Sequence, residues 1–163
     1  MATRYYTGVG SRQTPKDILD VMRSISIKLE SLNFILRSGG ADGADYAFER
    51  AINKGKKQIF YAKHCNSEAM KIAEKYHPAW HLLNPYVKKL HGRNAMQVLG
   101  QDLNTPSEVL ICWTPDGCIA HRDRTIETGG TGTAISIADA YNVPIQNLHC
   151  KETLDSYIKW LAK

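Results

Sequence analysis

Five short apolar runs, each separated from the next by a turn and a helix-spaced segment, constrain this chain more than anything else in it. They are Arg4 to Gly8, Asn33 to Arg37 (NFILR), Lys57 to Ala62 (KQIFYA), Glu108 to Trp113 (EVLICW) and Val143 to Asn147 (VPIQN), and the fourth is the clearest buried strand. From Pro15 to Leu32 the apolar residues Ile18, Val21, Met22, Ile25, Leu29 and Leu32 keep a helical period. Thr14 is placed as the N-cap there and Pro15 at the first helical position. Further helices are expected over Asp45 to Asn53, closed by Gly55, and over Glu68 to Tyr76 and Val87 to Leu103, with Pro78 and Pro85 bracketing a loop. Gly132 to Tyr141 and Thr153 to Leu161 complete the set. Strands alternating with helices predict an α/β fold with a doubly wound, mostly parallel sheet and helices on both faces. The 163 residues show no repeats, low-complexity tracts or linkers and are expected to form one domain.

In such sheets ligands sit outside the carboxyl ends of the strands, where the strand order reverses, so the loops after the strands matter most. Three of them are unusual. TGVGSRQTP, Thr7 to Pro15, offers Gly8 and Gly10 for close backbone approach, Ser11 and Thr14 hydroxyls before a helix, and Arg12 for a charge-assisted contact. SGGADGAD, Ser38 to Asp45, places Gly39 and Gly40 after a strand but has no lysine and carries Asp42 and Asp45. TGGTGTA, Thr128 to Ala134, repeats the pattern with Gly129, Gly130, Thr131, Gly132 and Thr133. A single such loop is most simply a tight turn with a helix cap. Three on one sheet are suited to surrounding a nucleotide. No G-K-[ST] follows any of them, which excludes a P-loop.

Other features narrow the classes. The net charge of +5 suits an anionic partner without showing a long basic tract. No apolar run approaches the ~20 residues of a membrane span and the N-terminus lacks a signal-peptide pattern, so the expectation is a soluble, cytoplasmic protein that does not enter a membrane. The four cysteines lack C-x-x-C spacing, and His77 and His81 have no third ligand at a recognisable spacing, so neither a metal nor another cofactor is expected.

Together, GSR after the first strand, SGGADGAD after the second, Arg93-Asn94 in a later helix and GGTGT opening another resemble the SLOG superfamily. That group includes the DprA/Smf DNA-processing proteins and the LOG nucleotide hydrolases, and short stand-alone versions are common in bacteriophage genomes. The resemblance runs from Thr7 to Leu148 and implies a Rossmann-like fold with a ligand over the glycine loops, in a homo-oligomer. SGGADGAD and GRN are similar to the DprA pattern, which implies single-stranded DNA as an alternative partner. GGTGT is similar to the LOG signature, but Thr128 stands at its proline position and Ile135 and Ser136 stand where its glutamates would be. LOG-type N-glycosidic hydrolysis uses that acid with an arginine, for which Arg93 is the match. The departure favours binding over hydrolysis.

Asp42 and Asp45 are read as partners of ribose hydroxyls or as helix-capping residues, ahead of a catalytic base. Arg93 and Asn94 are expected at a phosphate or base. Trp113 ends the fourth strand where an indole can stack on a base, and Thr114 follows it. His121, Arg122 and Arg124 lie in a long loop that either closes over the ligand or stays solvated. The resulting expectation is a binder of a nucleoside phosphate, an ADP-ribose-like molecule or a cyclic nucleotide, sensing or sequestering it. The alternatives are DNA binding, or N-glycosidic hydrolysis with Asp42 or Asp45 in place of the missing glutamate.

Overall fold

Alternation along each strand decides which helices cover which face. The computed structural model describes residues 2–163 and contains the strands β1 (Arg4–Gly8), β2 (Phe34–Ser38), β3 (Lys57–Ile59), β4 (Leu110–Cys112) and β5 (Ile145–Asn147). Its helices are α1 (Lys16–Ser31), α2 (Ala44–Glu49), α3 (Ser67–Tyr76), α4 (Pro85–Leu99), α5 (Thr131–Ala140) and α6 (Lys151–Leu161). Tyr6, Leu36 and Ile111 join a core with Ile18, Met22, Ile25 and Leu29 of α1 and Phe48 of α2, and Tyr157 and Trp160 of α6 pack against it. The next residues along two of those strands serve the opposite side: Thr7 bonds the Gln97 carbonyl of α4, and Cys112 packs with Met96, Val98 and Leu99 of α4 and Ile135 of α5. The period of two therefore places α1, α2 and α6 on one face and α3, α4 and α5 on the other.

The sheet has the order β3-β2-β1-β4-β5, and all four pairings are parallel. This is a doubly wound α/β fold of the Rossmann-like kind. Among the described residues no helix is long and apolar enough to cross a membrane.

Several element ends differ from the sequence expectation, each for a local reason. Thr14 is not the N-cap: its hydroxyl donates to the Ser11 carbonyl at 2.6 Å, Pro15 takes the cap position and Lys16 is the first helical residue. Helix α2 stops at Glu49 rather than Asn53 because the chain must return for Lys57 to pair with Leu36, and Gly55 sits in a separate short turn. Lys57 Nζ then donates to the Glu49 carbonyl at 3.0 Å, satisfying a group the helix end leaves open. Helix α4 starts at Pro85 instead of Val87, capped by Asn84, whose side chain accepts the Val87 N–H. It ends at Leu99, because Gly100 adopts φ +84°.

Candidate functional site

The strand order reverses between β1 and β4, so the connections leaving these two strands diverge and open a crevice. Hydrogen bonds from Val9 N–H to the Ile111 carbonyl (3.1 Å) and from Ser11 N–H to the Trp113 carbonyl (3.1 Å) carry the β1 loop along β4. At Gly10 a Cβ would lie 2.8 Å from the Ala44 Cβ and 3.0 Å from the Trp113 carbonyl oxygen. Gly43 has φ +82°, and its missing Cβ would lie 2.9 Å from Arg12 Cα and 3.0 Å from the Ser11 oxygen. The first two glycine loops and the end of β4 are thus packed backbone to backbone. Asn94 of α4 draws in the third loop by donating to the Gly130 carbonyl at 3.2 Å.

These segments enclose a cavity of about 750 Å³. Of the residues singled out from sequence, Gly10, Ser11, Arg12, Asp45, Arg93, Asn94, Gly129, Gly130 and Thr131 line it. The others lie elsewhere. Gly8 is packed against Phe48, and Ser38 donates to the Gly8 carbonyl at 2.6 Å, pinning β1 to β2. Gly39 stands behind the wall, its carbonyl accepting from Arg93, while Gly40 faces the Tyr61 ring. Asp42 is exposed in the turn before α2. The Trp113 indole packs on His149 (ring centroids 5.5 Å apart) and against the α1-side core. Thr114 is buried, accepting from Asn147 Nδ2 at 2.8 Å. Gly132 lies under Arg124, and the Thr133 hydroxyl meets His91 Nδ1 at 2.8 Å.

The long loop folds back on the protein. Arg124 donates to the Tyr76 carbonyl (2.8 Å), to Thr133 (3.0 Å) and to Ser136 (3.3 Å), so its charge serves the loop's attachment to α3 and α5. The His121 N–H donates to Asp139 at 2.8 Å, and its ring meets Ser136. Asp116 accepts from the hydroxyls of Thr125 (2.8 Å) and Thr128 (2.5 Å), which fixes the turn carrying Ile126, Glu127 and Thr128 along the cavity. Burial pushes the Asp116 carboxyl up, but the bonds from Thr128, Thr114, Thr125 and the Cys118 N–H outweigh it and hold its pKa below the usual value.

Charge is distributed unevenly along the cavity. Arg12 is exposed at the β1 loop. Helix α5 begins at Thr131 with Gly130 as its N-cap and no side-chain cap, leaving the positive end of a ten-residue helix at the wall. Gly132 turns its N–H back onto the Gly129 carbonyl at 3.0 Å. In the same lining Asp45 is 4 % exposed; burial raises its pKa to about 7, against the opposing pull of Arg93 and of the Ala41 N–H, which donates to Oδ2 at 3.3 Å. His91 is held neutral: burial first, then the charges of His77, Arg124 and Arg93, depress it to about 4. Among the described residues no group of three or more His, Cys, Asp or Glu is placed to hold a metal ion.

Several lining residues escaped the sequence reading, among them Gln13, His91, Gln97 and Glu127. A signal for part of this set was present. Val87, Leu90, His91, Asn94 and Gln97 recur at three- and four-residue steps, so once Asn94 is placed at a site the rest of that stripe follows. No such rule reaches Glu127, which arrives through the Asp116 contacts of an irregular loop.

The chain matches no protein-family model, no curated protein and no solved structure.

Proposed function

We propose that this protein binds a nucleotide or a nucleotide-derived small molecule, in the manner of the SLOG superfamily, and acts by sensing or sequestering it. The observation that carries this reading is the convergence of three glycine-containing loops on one cavity at the β1/β4 switch point. The uncapped start of α5 and the Arg12 side chain favour an anionic group such as a phosphate. The same cavity is lined by Asn94, Gln97 and a carboxyl whose pKa lies near 7, groups suited to an uncharged polar moiety. The volume falls in the range of small-molecule and cofactor sites.

The test begins with the purified protein, from which bound contents are released by heat and identified by mass spectrometry. Calorimetric titration with nucleoside monophosphates follows. Saturable one-site binding that weakens in Arg12→Ala supports the reading. Absence of any bound nucleotide, together with flat titrations, overturns it.

A second reading is hydrolysis of an N-glycosidic bond. It is favoured by two carboxyl groups of contrasting environment in the same cavity: Asp45, buried with a pKa of about 7, and Glu127, exposed at the wall. Release of free base from a nucleoside monophosphate, lost in Asp45→Asn, would favour it over binding alone.

A further inference from the structure

One guanidinium orders two histidines. Arg124 donates from Nη2 to the Thr133 hydroxyl (3.0 Å) and from Nη1 to the Ser136 hydroxyl (3.3 Å), and both hydroxyls are fully buried on α5. Thr133 Oγ1 in turn meets His91 Nδ1 at 2.8 Å, and Ser136 Oγ meets His121 Nδ1 at 2.7 Å. An arginine only donates, so the Thr133 oxygen accepts from Arg124 and still has its single hydrogen to place. Its one remaining partner is His91. A buried hydroxyl hydrogen without an acceptor is costly, so that hydrogen goes to Nδ1 and the proton of the neutral His91 ring stands on Nε2.

His91 belongs to the cavity lining. Its Nε2 bonds nothing in the protein, yet it is not closed off. Among the described residues the buried side-chain nitrogens and oxygens without a partner are Tyr6 Oη, Arg93 Nε and Gln97 Oε1. The ring is held in place by the Thr133 bond and by the His77 ring, packed edge to face with centroids 4.5 Å apart. Burial, then His77, Arg124 and Arg93, keep it uncharged.

We propose that Arg124, acting through Thr133, fixes His91 as an uncharged Nε2–H donor to an acceptor atom of the ligand. This rests on the nucleotide reading above. Arg124 and Thr133 are positioning residues, and His91 is the group that touches the ligand. A ring in this state donates from Nε2 and keeps no free lone pair, so it takes a ligand oxygen or an unprotonated ring nitrogen and rejects an amine. Nor can it act as a general base in the hydrolytic reading, because its basic nitrogen is occupied by Thr133.

The experiment pairs nitrogen-15 NMR of the histidine rings at about pH 7, on the intact chain, with calorimetric titration of adenosine 5′-monophosphate. The ring signal missing from His91→Gln identifies His91. The natural protein is expected to show an unprotonated Nδ1 and a protonated Nε2 on that ring, and the nucleotide is expected to shift the Nε2–H signal. In Thr133→Val the ring should lose this pattern and show an average of the two tautomers. A protonated Nδ1 in the natural protein would overturn the proposal, and that measurement needs no variant to fold. An unchanged pattern in Thr133→Val would overturn the positioning role. In the titrations His91→Phe should weaken binding about tenfold. His91→Gln, whose side-chain amide supplies an N–H in place of the imidazole Nε2–H, should stay within about threefold. Equal losses in the two folded variants, or no loss in either, would overturn the donor role. A flat titration of the natural protein would remove the nucleotide reading and the donor role with it, whereas the wrong tautomer overturns this proposal alone.

Discussion

Asp45 Oδ2 and the Arg93 guanidinium carbon both lie within 3.0 Å of the point a Gly39 Cβ would occupy, yet the two residues form no ion pair within 4.0 Å. Arg93 directs Nη1 to backbone carbonyls instead, so burial outweighs its attraction and the Asp45 pKa rises from 3.8 to about 7. A carboxyl raised on folding binds its proton more tightly in the native state than in the unfolded chain. Its contribution is therefore present in full below the unfolded value and is lost as pH rises through about 7. Asp45→Asn should leave the melting temperature nearly unchanged at about pH 3 and raise it progressively toward about pH 8, with an upper bound of roughly 4 kcal/mol. Thermal melts of both proteins across that range check this; parallel pH profiles would exclude a raised Asp45.

His91 works in the opposite direction. Its pKa falls to about 4, so the native state holds it neutral while the unfolded chain takes up a proton. That stability is present above about pH 6.5 and is lost as pH drops toward 4. In His91→Asn the urea midpoint should vary less between about pH 6.5 and pH 4 than in the natural protein. An unchanged acid slope would rule out His91 as its source.

Gly43 and Gly130 predict contrasting outcomes. At Gly43 the backbone has φ +82° and a Cβ would strike the Arg12 Cα, so Gly43→Ala should destabilise by about 1–3 kcal/mol in chemical denaturation. At Gly130 the backbone is already α-helical (φ −61°, ψ −27°) and no atom lies within 4 Å of an added Cβ. Gly130→Ala should keep the natural denaturation midpoint but weaken binding of the proposed nucleotide ligand, because the methyl group is added at the cavity wall. Equal loss of stability in the two variants would contradict these environments.

Arg124 and Arg122 sit two residues apart in one loop, and only the former is bonded into the fold. Arg124→Gln removes donors to Tyr76, Thr133 and Ser136 and should cost about 1–3 kcal/mol. Arg122 is exposed, and Arg122→Ala should stay within about 0.5 kcal/mol of the natural protein. The same denaturation series measures both.

The strands, the helices and their parallel arrangement were legible because period-two and period-3.6 patterns survive in the sequence. Ile18, Met22, Ile25 and Leu29 are buried as their spacing requires. Gly10, Gly129 and Gly130 stand at strand-to-helix connections, and that position is what brings them into the cavity lining. Direction is what the sequence left open. Asp42 and Asp45 differ by three positions, but the first remains in an exposed turn and the second falls within α2 and points inward. Trp113 ends the expected strand, yet pleating sends its indole to the α1 side, away from the cavity. Gln97 carries no distinctive motif; it gains meaning only from the groups that α4 brings beside it.

The pairing of Thr7 with Leu110 and of Gly8 with Ile111 has a consequence for the chain's synthesis. The strand at the middle of the sheet leaves the ribosome about a hundred residues before the neighbour that covers its second side. Until β4 emerges, a nascent β1-β2-β3 unit displays the β1 edge as well as that of β3, open to capture by any extended segment nearby. The position that later frames the cavity is therefore also where a half-made molecule is most exposed to joining the wrong partner.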